Sequence, residues 1–176
     1  MTFSSRSIPG SFVFAYPPAT DARGRFSMNW DDQVFREAGI MFRPVSACHS
    51  YNESTRTLRG MHYQESPHAQ SKLVCCSRGA VLDVIVDLRR ESASHLAWEA
   101  IELREGDGLS LYIPSGCAHG FLTLEPASTV AYLIEGEYRP ESSRVLRWDD
   151  PAVGFPWPCT DPILSDKDRH AADYQQ

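Results

Sequence analysis

Arg59 and His62 stand three residues apart in Leu58-Arg59-Gly60-Met61-His62-Tyr63-Gln64. A second histidine, His119, follows Leu111-Tyr112-Ile113-Pro114 in the block Ala118-His119-Gly120-Phe121, and Lys72 lies between the two blocks. An imidazole, with an ordinary pKa of about 6.5, accepts a proton near neutral pH. Arginine and lysine hold anions or steady an oxyanion as it forms. One chain thus offers a base, a second imidazole and two cations, the makings of a pocket that binds an anion and abstracts a proton. A basic imidazole works best when a carboxylate holds its other nitrogen; the candidates are Asp83, Asp87 and the distant Asp168. Tyr132, inside the apolar run Val130-Ala131-Tyr132-Leu133-Ile134, can donate a proton, and Tyr138, before Arg139-Pro140, can stack on a flat ring. As residue types alone, Tyr132 reads more simply as a packed core tyrosine and Lys72 as a solvated surface lysine, while Arg59 is evenly balanced.

These side chains need elements to aim them. Ala80 to Leu88 alternates with a period of two: Leu82, Val84 and Val86 share one face and Val81, Asp83, Ile85 and Asp87 the other. Ser71 to Cys76, Leu96 to Trp98, Ala100 to Leu103, Leu109 to Ile113, Phe121 to Leu124 and Val130 to Ile134 read as further strands, with turns at Arg78-Gly79 and Arg104-Glu105-Gly106-Asp107-Gly108. Phe12 to Tyr16, running into Pro17-Pro18, is expected to be an edge strand, followed by a turn over 21–25. Asp31 to Ala38 is expected to form one or two helical turns closed by Gly39, and Ser165 to cap a short last helix with Asp168 at its third position. Many short strands punctuated by Gly and Pro indicate an all-β barrel or sandwich. No linker or repeat divides it, so the expectation is a single domain over 1–176.

The 176 residues are 42% hydrophobic, enough for one sizeable core. A net charge of -6 without a basic run argues against nucleic acid or an anionic membrane as partner, while leaving room for a few focused cations around a small anion. No apolar stretch is long enough to span a bilayer, and the N-terminus lacks a signal peptide's basic region and apolar core, which makes the cytoplasm the default expectation. Cys48, Cys75, Cys76, Cys117 and Cys159 form no CxxC pair, so they read as reduced small hydrophobes rather than a disulfide or zinc framework. On a strand, adjacent Cys75 and Cys76 point to opposite faces.

The series from Gly108 through Pro114 and Gly116 to His119 resembles the second signature of the cupins, a jelly-roll barrel superfamily. The first cupin signature expects two His and a Glu as metal ligands; here Lys72 stands where the Glu is due, which leaves too few ligands for a metal. The expectation is therefore a cupin-type jelly roll with short peripheral helices, no metal and no cofactor.

More specifically, the chain resembles the dTDP-4-dehydrorhamnose 3,5-epimerase family from about Asp21 to Asp168. The likeness rests on the Leu58–Gln64 block, Lys72-Leu73-Val74, Arg78-Gly79-Ala80, Asp83 to Arg89, Tyr112-Ile113-Pro114, Ala118 to Phe121, Arg147 to Pro151 and Leu164 to Asp168, in that order and spacing. It implies His62 as catalytic base, Asp168 as the carboxylate that pairs with it, Tyr132 as proton donor, and Lys72 and His119 as contacts to the sugar or its enolate. It further implies Arg59 and Arg23 as contacts to the nucleotide diphosphate, Arg23 reaching in from a partner subunit, and Tyr138 as a ring packed at the substrate. A homodimer acting on a dTDP-linked 4-keto sugar is implied, with the strand and turn region of residues 1–40 exchanged between subunits.

The chain departs from the family pattern at four substrate-binding positions. Ala47 and His49 replace a Gln-x-Asn pair, His49 being kept as a substrate-binding candidate, and Met28 and Ser143 replace glutamates. Those departures bear on which nucleotide and sugar are bound and on whether C3 alone or both C3 and C5 are inverted. The rivals are a 3-epimerase, an epimerase of another nucleotide-linked 4-keto sugar, a non-catalytic sugar-nucleotide-binding cupin and, more remotely, a metal-dependent cupin oxygenase.

Overall fold

A computed structural model describes residues 1–175. Thirteen strands and two short helices follow the chain: β1 (Thr2–Ser5), β2 (Phe12–Ala15), β3 (Ala19–Asp21), β4 (Gly24–Phe26), α1 (Asp32–Glu37), β5 (Ser46–Asn52), β6 (Leu58–Gln64), β7 (Ser71–Arg78), β8 (Ala80–Asp87), β9 (Trp98–Arg104), β10 (Leu109–Ile113), β11 (Cys117–Thr123), β12 (Ser128–Glu135), β13 (Ser143–Val145) and α2 (Asp166–Arg169). A six-stranded sheet, in the order β1-β2-β10-β7-β12-β5, faces a five-stranded sheet, β13-β6-β11-β8-β9. Every pairing within them is antiparallel. The chain is all-β, as its strand pattern leads one to expect, and a cupin-type jelly roll, as its resemblance implies.

The alternation within β8 decides what lies inside. Val81 and Ile85 join Val74 and Cys76 of β7, Leu111 and Ile113 of β10, Cys117 and Phe121 of β11 and Val130 of β12 in the core between the sheets. Val84 and Val86 point the other way, under Leu146, Phe155 and Trp157 of the C-terminal segment. Asp83 therefore sits on the inward face and is fully buried. The outer face of the six-stranded sheet is closed by an aromatic cluster in which Phe35 of α1 packs on Phe3, Phe12, Phe14 and Phe42. That helix starts where expected, because the Asp31 carboxylate accepts from the Val34 amide at 3.0 Å. Cys75 and Cys76 diverge as adjacent strand residues must, with Cys76 in the inter-sheet core.

Three expectations need correction. Phe12–Ala15 is not an edge: it lies between β10 and β1, and β1, which the sequence does not announce, forms the sheet's edge. The physical reason is that all three residues Phe12, Val13 and Phe14 are buried, so both faces of the strand need cover. Leu96 belongs to a turn with φ of 64°, and the strand expected in two pieces runs unbroken from Trp98 to Arg104. The segment over 21–25 is less a bare turn than the tip of a small hairpin, β3–β4, whose residues are all exposed.

One irregularity matters for the site. In a regular strand, residues three apart point to opposite faces. Along β6 and β11, His119 stands opposite His62 but Phe121 stands opposite Arg59, so three steps on β6 match two on β11. This bulge returns Arg59 and His62 to the same side of the sheet. Gly60 and Gly120 cross at the bulge: a Cβ on Gly60 would lie 2.6 Å from the Gly120 Cα, and Gly60 has a φ of 130°.

Candidate active site

The two sheets open at one end into a cavity of about 540 Å³, lined by Arg59, His62, Gln64, Gln70, Lys72, Tyr138 and Asp168 among others. His62 comes from the five-stranded sheet. Its Nε2 lies 2.7 Å from Asp168 Oδ1. Asp168 is only 3% exposed, and its second oxygen accepts from the Gly60 amide at 3.3 Å. The capping expectation holds at the backbone, where the Asp168 N–H donates to Ser165 Oγ at 3.2 Å. The Asp168 carboxylate, however, turns away from the cap and toward His62. Burial by itself pushes the Asp168 carboxyl up. The hydrogen bond and charge of His62 oppose this, with the Gly60 amide and Ser165 adding to them, and the net effect holds the carboxyl below its ordinary range. A proton on Nε2 shared with that carboxylate leaves the Nδ1 lone pair of His62 free to act as base.

Lys72, on β7 of the opposite sheet, points inward rather than into solvent. Its Nζ has one long contact, 3.5 Å to the His62 carbonyl. Burial lowers its pKa to about 8, against the opposing pull of Asp83 and a smaller one from Cys48. A cation so sparsely partnered is poised to accept an anion. Tyr132, on neighbouring β12, is largely buried; its hydroxyl lies 3.2 Å from Ser50 Oγ of β5, and burial raises its pKa, so the phenol carries its proton at neutral pH. His119 packs edge-on against it, with ring centroids 6.1 Å apart. Both Asp83 oxygens approach His119 Nε2, at 3.0 and 2.9 Å. Burial lowers the His119 pKa, Asp83 pulling it back up and Lys72 and His62 pushing it down.

Of the three carboxylates that could hold His62, the fold assigns Asp168 to it, Asp83 to His119, and Asp87 to Arg89 and Ser94. Sequence reasoning missed the Asp83–His119 pair. Its signal was an acid in the inward-facing set of an otherwise apolar strand. Arg59 stands at the cavity mouth, its Nε donating to Asn52 Oδ1 at 2.7 Å. Tyr138 and Ser143 line the same cavity.

Tyr132 and His119 are not among the residues lining the cavity, and Tyr132 is one of those lining a second groove. Two further candidates lie outside the cavity. His49 alternates with the inward-facing Cys48 and Ser50 and lies on the outer face of β5. It lines a separate groove of about 610 Å³ with Met28, Trp30 and Ala47. Arg23 sits at the tip of the exposed β3–β4 hairpin, paired with Asp21 at 2.6 Å, and is not among the residues lining the cavity. Among the described residues, no three His, Cys, Asp or Glu side chains gather as a metal would require. Among the described residues, no helix is long and apolar enough to cross a membrane.

Comparison with known proteins meets this geometry. The family model described as dTDP-4-dehydrorhamnose 3,5-epimerase matches residues 5–176. A dTDP-4-dehydrorhamnose 3,5-epimerase from Sinorhizobium fredii is 39% identical over 169 residues, which cover 96% of this chain and 87% of the relative. Among solved structures, the Bacillus anthracis dTDP-4-dehydrorhamnose 3,5-epimerase with TDP and pyrophosphate bound superimposes with a TM-score of 0.94 at 34% identity, covering 98% of this chain and 99% of that one. A 3'-monoepimerase from Streptomyces bikiniensis in complex with dTDP-quinovose does so with a TM-score of 0.90 at 32% identity, covering 97% and 86%. With its sheets and nearly its whole length matched in this way, the chain belongs to the dTDP-4-dehydrorhamnose 3,5-epimerase family and is an enzyme of the isomerase class.

Proposed function

We propose that this chain inverts C3 and C5 of dTDP-4-dehydro-6-deoxy-D-glucose, yielding dTDP-4-dehydro-L-rhamnose, with His62 as the base. The observation that carries the reading is the 2.7 Å pair of His62 with buried Asp168, in a cavity that Lys72 of the facing sheet also lines, with Tyr132 on the strand next to Lys72. The C4 ketone acidifies the hydrogens at C3 and C5. His62 removes one as a proton, and the C–H electron pair moves through the new C–C double bond onto the C4 oxygen. Lys72 stabilises that enolate oxygen, where charge develops in the transition state. Tyr132 returns a proton to carbon from the opposite face, and the centre inverts; solvent reprotonates Tyr132 and relieves His62. The oxidation state is unchanged throughout. Base and acid on opposing sheets suit inversion, and positioned acid–base groups typically contribute about 10²–10⁴-fold each. His119, held by Asp83, contacts the sugar, Tyr138 packs on it, and Arg59 meets the diphosphate.

A homodimer fits the same reading. The all-exposed β3–β4 hairpin carries Arg23 away from its own cavity, where only another subunit can use it. The exchanged part of residues 1–40 is then this hairpin rather than β2, which its own sheet occupies on both sides. Sedimentation showing a fully active monomer at micromolar concentration would contradict this.

Inversion of C3 alone is the second reading. It is favoured by Ser143 in the cavity lining, where the family pattern has a glutamate, and by the likeness to the 3'-monoepimerase. Incubation with dTDP-4-keto-6-deoxyglucose in heavy water, with a stereospecific reductase to trap product, separates the two. Deuterium at both C3 and C5 with rhamno configuration supports double inversion. Label and inversion at C3 alone select the second reading, and no label at either centre overturns both. In Tyr132→Phe the base survives without the acid, so C3 should exchange its hydrogen and keep its configuration. Full-rate inversion in that variant would return Tyr132 to a packing role.

A further inference from the structure

Gln64 ends the strand that carries His62, is 5% exposed, and spends its whole carboxamide on two loops beside the cavity. Its Nε2 donates to the His68 carbonyl at 2.6 Å and to the Glu137 carbonyl at 3.0 Å, while its Oε1 accepts from the Arg139 amide at 2.7 Å. One orientation of the amide satisfies all three partners, since two carbonyls need donors and one N–H needs an acceptor. The last two partners are the backbone groups on either side of Tyr138. That residue is 66% exposed, so neighbouring side chains give its ring little support. One residue earlier, Gln70 Nε2 donates to the Gly136 carbonyl at 2.9 Å.

From this we infer that Gln64 is a positioning residue for substrate binding: it ties the strand bearing the base to the strap bearing Tyr138, so that ring and imidazole keep a fixed separation across the sugar. The inference rests on Tyr138 meeting the substrate, as proposed above. A carboxylate in place of the amide could satisfy only the Arg139 amide and would face two carbonyls with negative charge. An apolar side chain of similar length would leave all three groups without their partner. In either variant the strap comes loose while His62, Asp168, Lys72 and Tyr132 stay in place.

The test is a double-mutant cycle on Gln64 and Tyr138, read as KM for dTDP-4-keto-6-deoxyglucose alongside the rate of C3 hydrogen exchange at saturating substrate. Gln64→Met and Tyr138→Ala should each raise KM about tenfold, and the double variant should be no worse than the poorer single one, because residues that act through one another are not additive. Exchange by His62 at saturating substrate should stay within a few-fold of wild type in Gln64→Met. Gln70→Ala, which frees only the Gly136 carbonyl, provides a milder member of the series if Gln64→Met folds poorly, and should show the same non-additivity with Tyr138→Ala. A double variant whose KM rises by the product of its two single increases, about a hundredfold for Gln64→Met with Tyr138→Ala, overturns the inference. So does a raised KM in Gln64→Met when Tyr138→Ala leaves KM unchanged. Absence of exchange in the wild-type protein would instead strike at the epimerase reading itself.

Discussion

His62 of β6 and Asp168 of α2 lie 106 residues apart in sequence and 2.7 Å apart in space, and the carboxylate reaches the imidazole from a helix of four residues. So short a helix has no stability of its own. It is held by the Ser165 cap, by the Gly60 amide on the Asp168 carboxylate, and by Ile163, whose N–H donates to the Arg56 carbonyl and whose carbonyl accepts the Leu58 N–H. The His62–Asp168 pair is therefore also a seam between the C-terminal segment and the barrel.

Asp168→Asn keeps the shape of the side chain and removes its charge. An amide can present its oxygen or its NH₂ to Nε2, but it cannot stabilise an imidazolium. Turnover should fall by about 10³–10⁴-fold, with KM little changed, as expected when an orienting carboxylate is neutralised. The variant should be less stable than wild type at neutral pH, and the difference should fade only toward acid. A carboxyl held below its unfolded value near 3.9 contributes stability above that value and loses it as pH falls through the folded pKa. Urea midpoints that diverge between wild type and variant at pH 7 and converge as the pH falls would agree with this. Near-normal turnover in the variant would refute the pairing's role.

Lys72 separates activity from stability. With a pKa of about 8, it carries its charge at pH 7 and loses it just above, so kcat/KM should decline as pH rises through 8. Folding responds in the opposite sense. Between about 8 and the unfolded value near 10.4, the unfolded chain binds a proton that the folded chain does not, so stability rises with pH across that window. Lys72→Met should remove the rise in stability and lower kcat by about 10²-fold or more. An alkaline limb that survives in the variant would assign it to another group.

Asp83 raises the pKa of Lys72, as well as holding His119. Asp83→Asn should therefore shift the alkaline limb of kcat/KM to lower pH, below about 8. It should also destabilise the fold by about 3 kcal/mol, because a buried, charged hydrogen-bond acceptor is lost from beneath a buried histidine. An unmoved limb would show that Lys72 does not sense Asp83.

Gly60→Ala tests the bulge. Its Cβ would meet the Gly120 Cα at 2.6 Å and the His119 carbonyl at 2.8 Å, on a backbone with φ of 130°. A destabilisation on the order of 3 kcal/mol or more is expected from strain and overpacking together. If soluble protein is recovered, its activity should fall too, since β6 can relax only by turning Arg59 or His62 off the inner face. A loss under about 1 kcal/mol by urea unfolding would mean that the strands part easily here.

Much was legible in the residues alone. The period-two alternation of β8 announces a strand and sorts its faces, because a pleat sends successive side chains to opposite sides; Asp83 came out on one face with Val81 and Ile85, and the structure shows that face to be the inward one. The Asp31 and Ser165 caps are local too, since each bonds within three residues. The blocks around His62, Lys72 and His119 carried enough type and spacing to name the family. Other features belong to the tertiary structure. By residue type alone three carboxylates stood open as partners of His62 and only the family resemblance pointed to Asp168; what brings it there is the packing of a C-terminal turn against β6, across 106 residues that no local rule spans. Arg59 and His62 share a face because of a bulge set by the pairing of β6 with β11. Burial, rather than residue type, turned Lys72 from a surface lysine into a poised cation, and the strand parity of β5 placed His49 on the outside. Local sequence determines periodicity and caps because their partners lie within one turn or one pleat. Which acid meets which base depends on the relative placement of whole sheets, and that exists only once the two layers have closed on a common core.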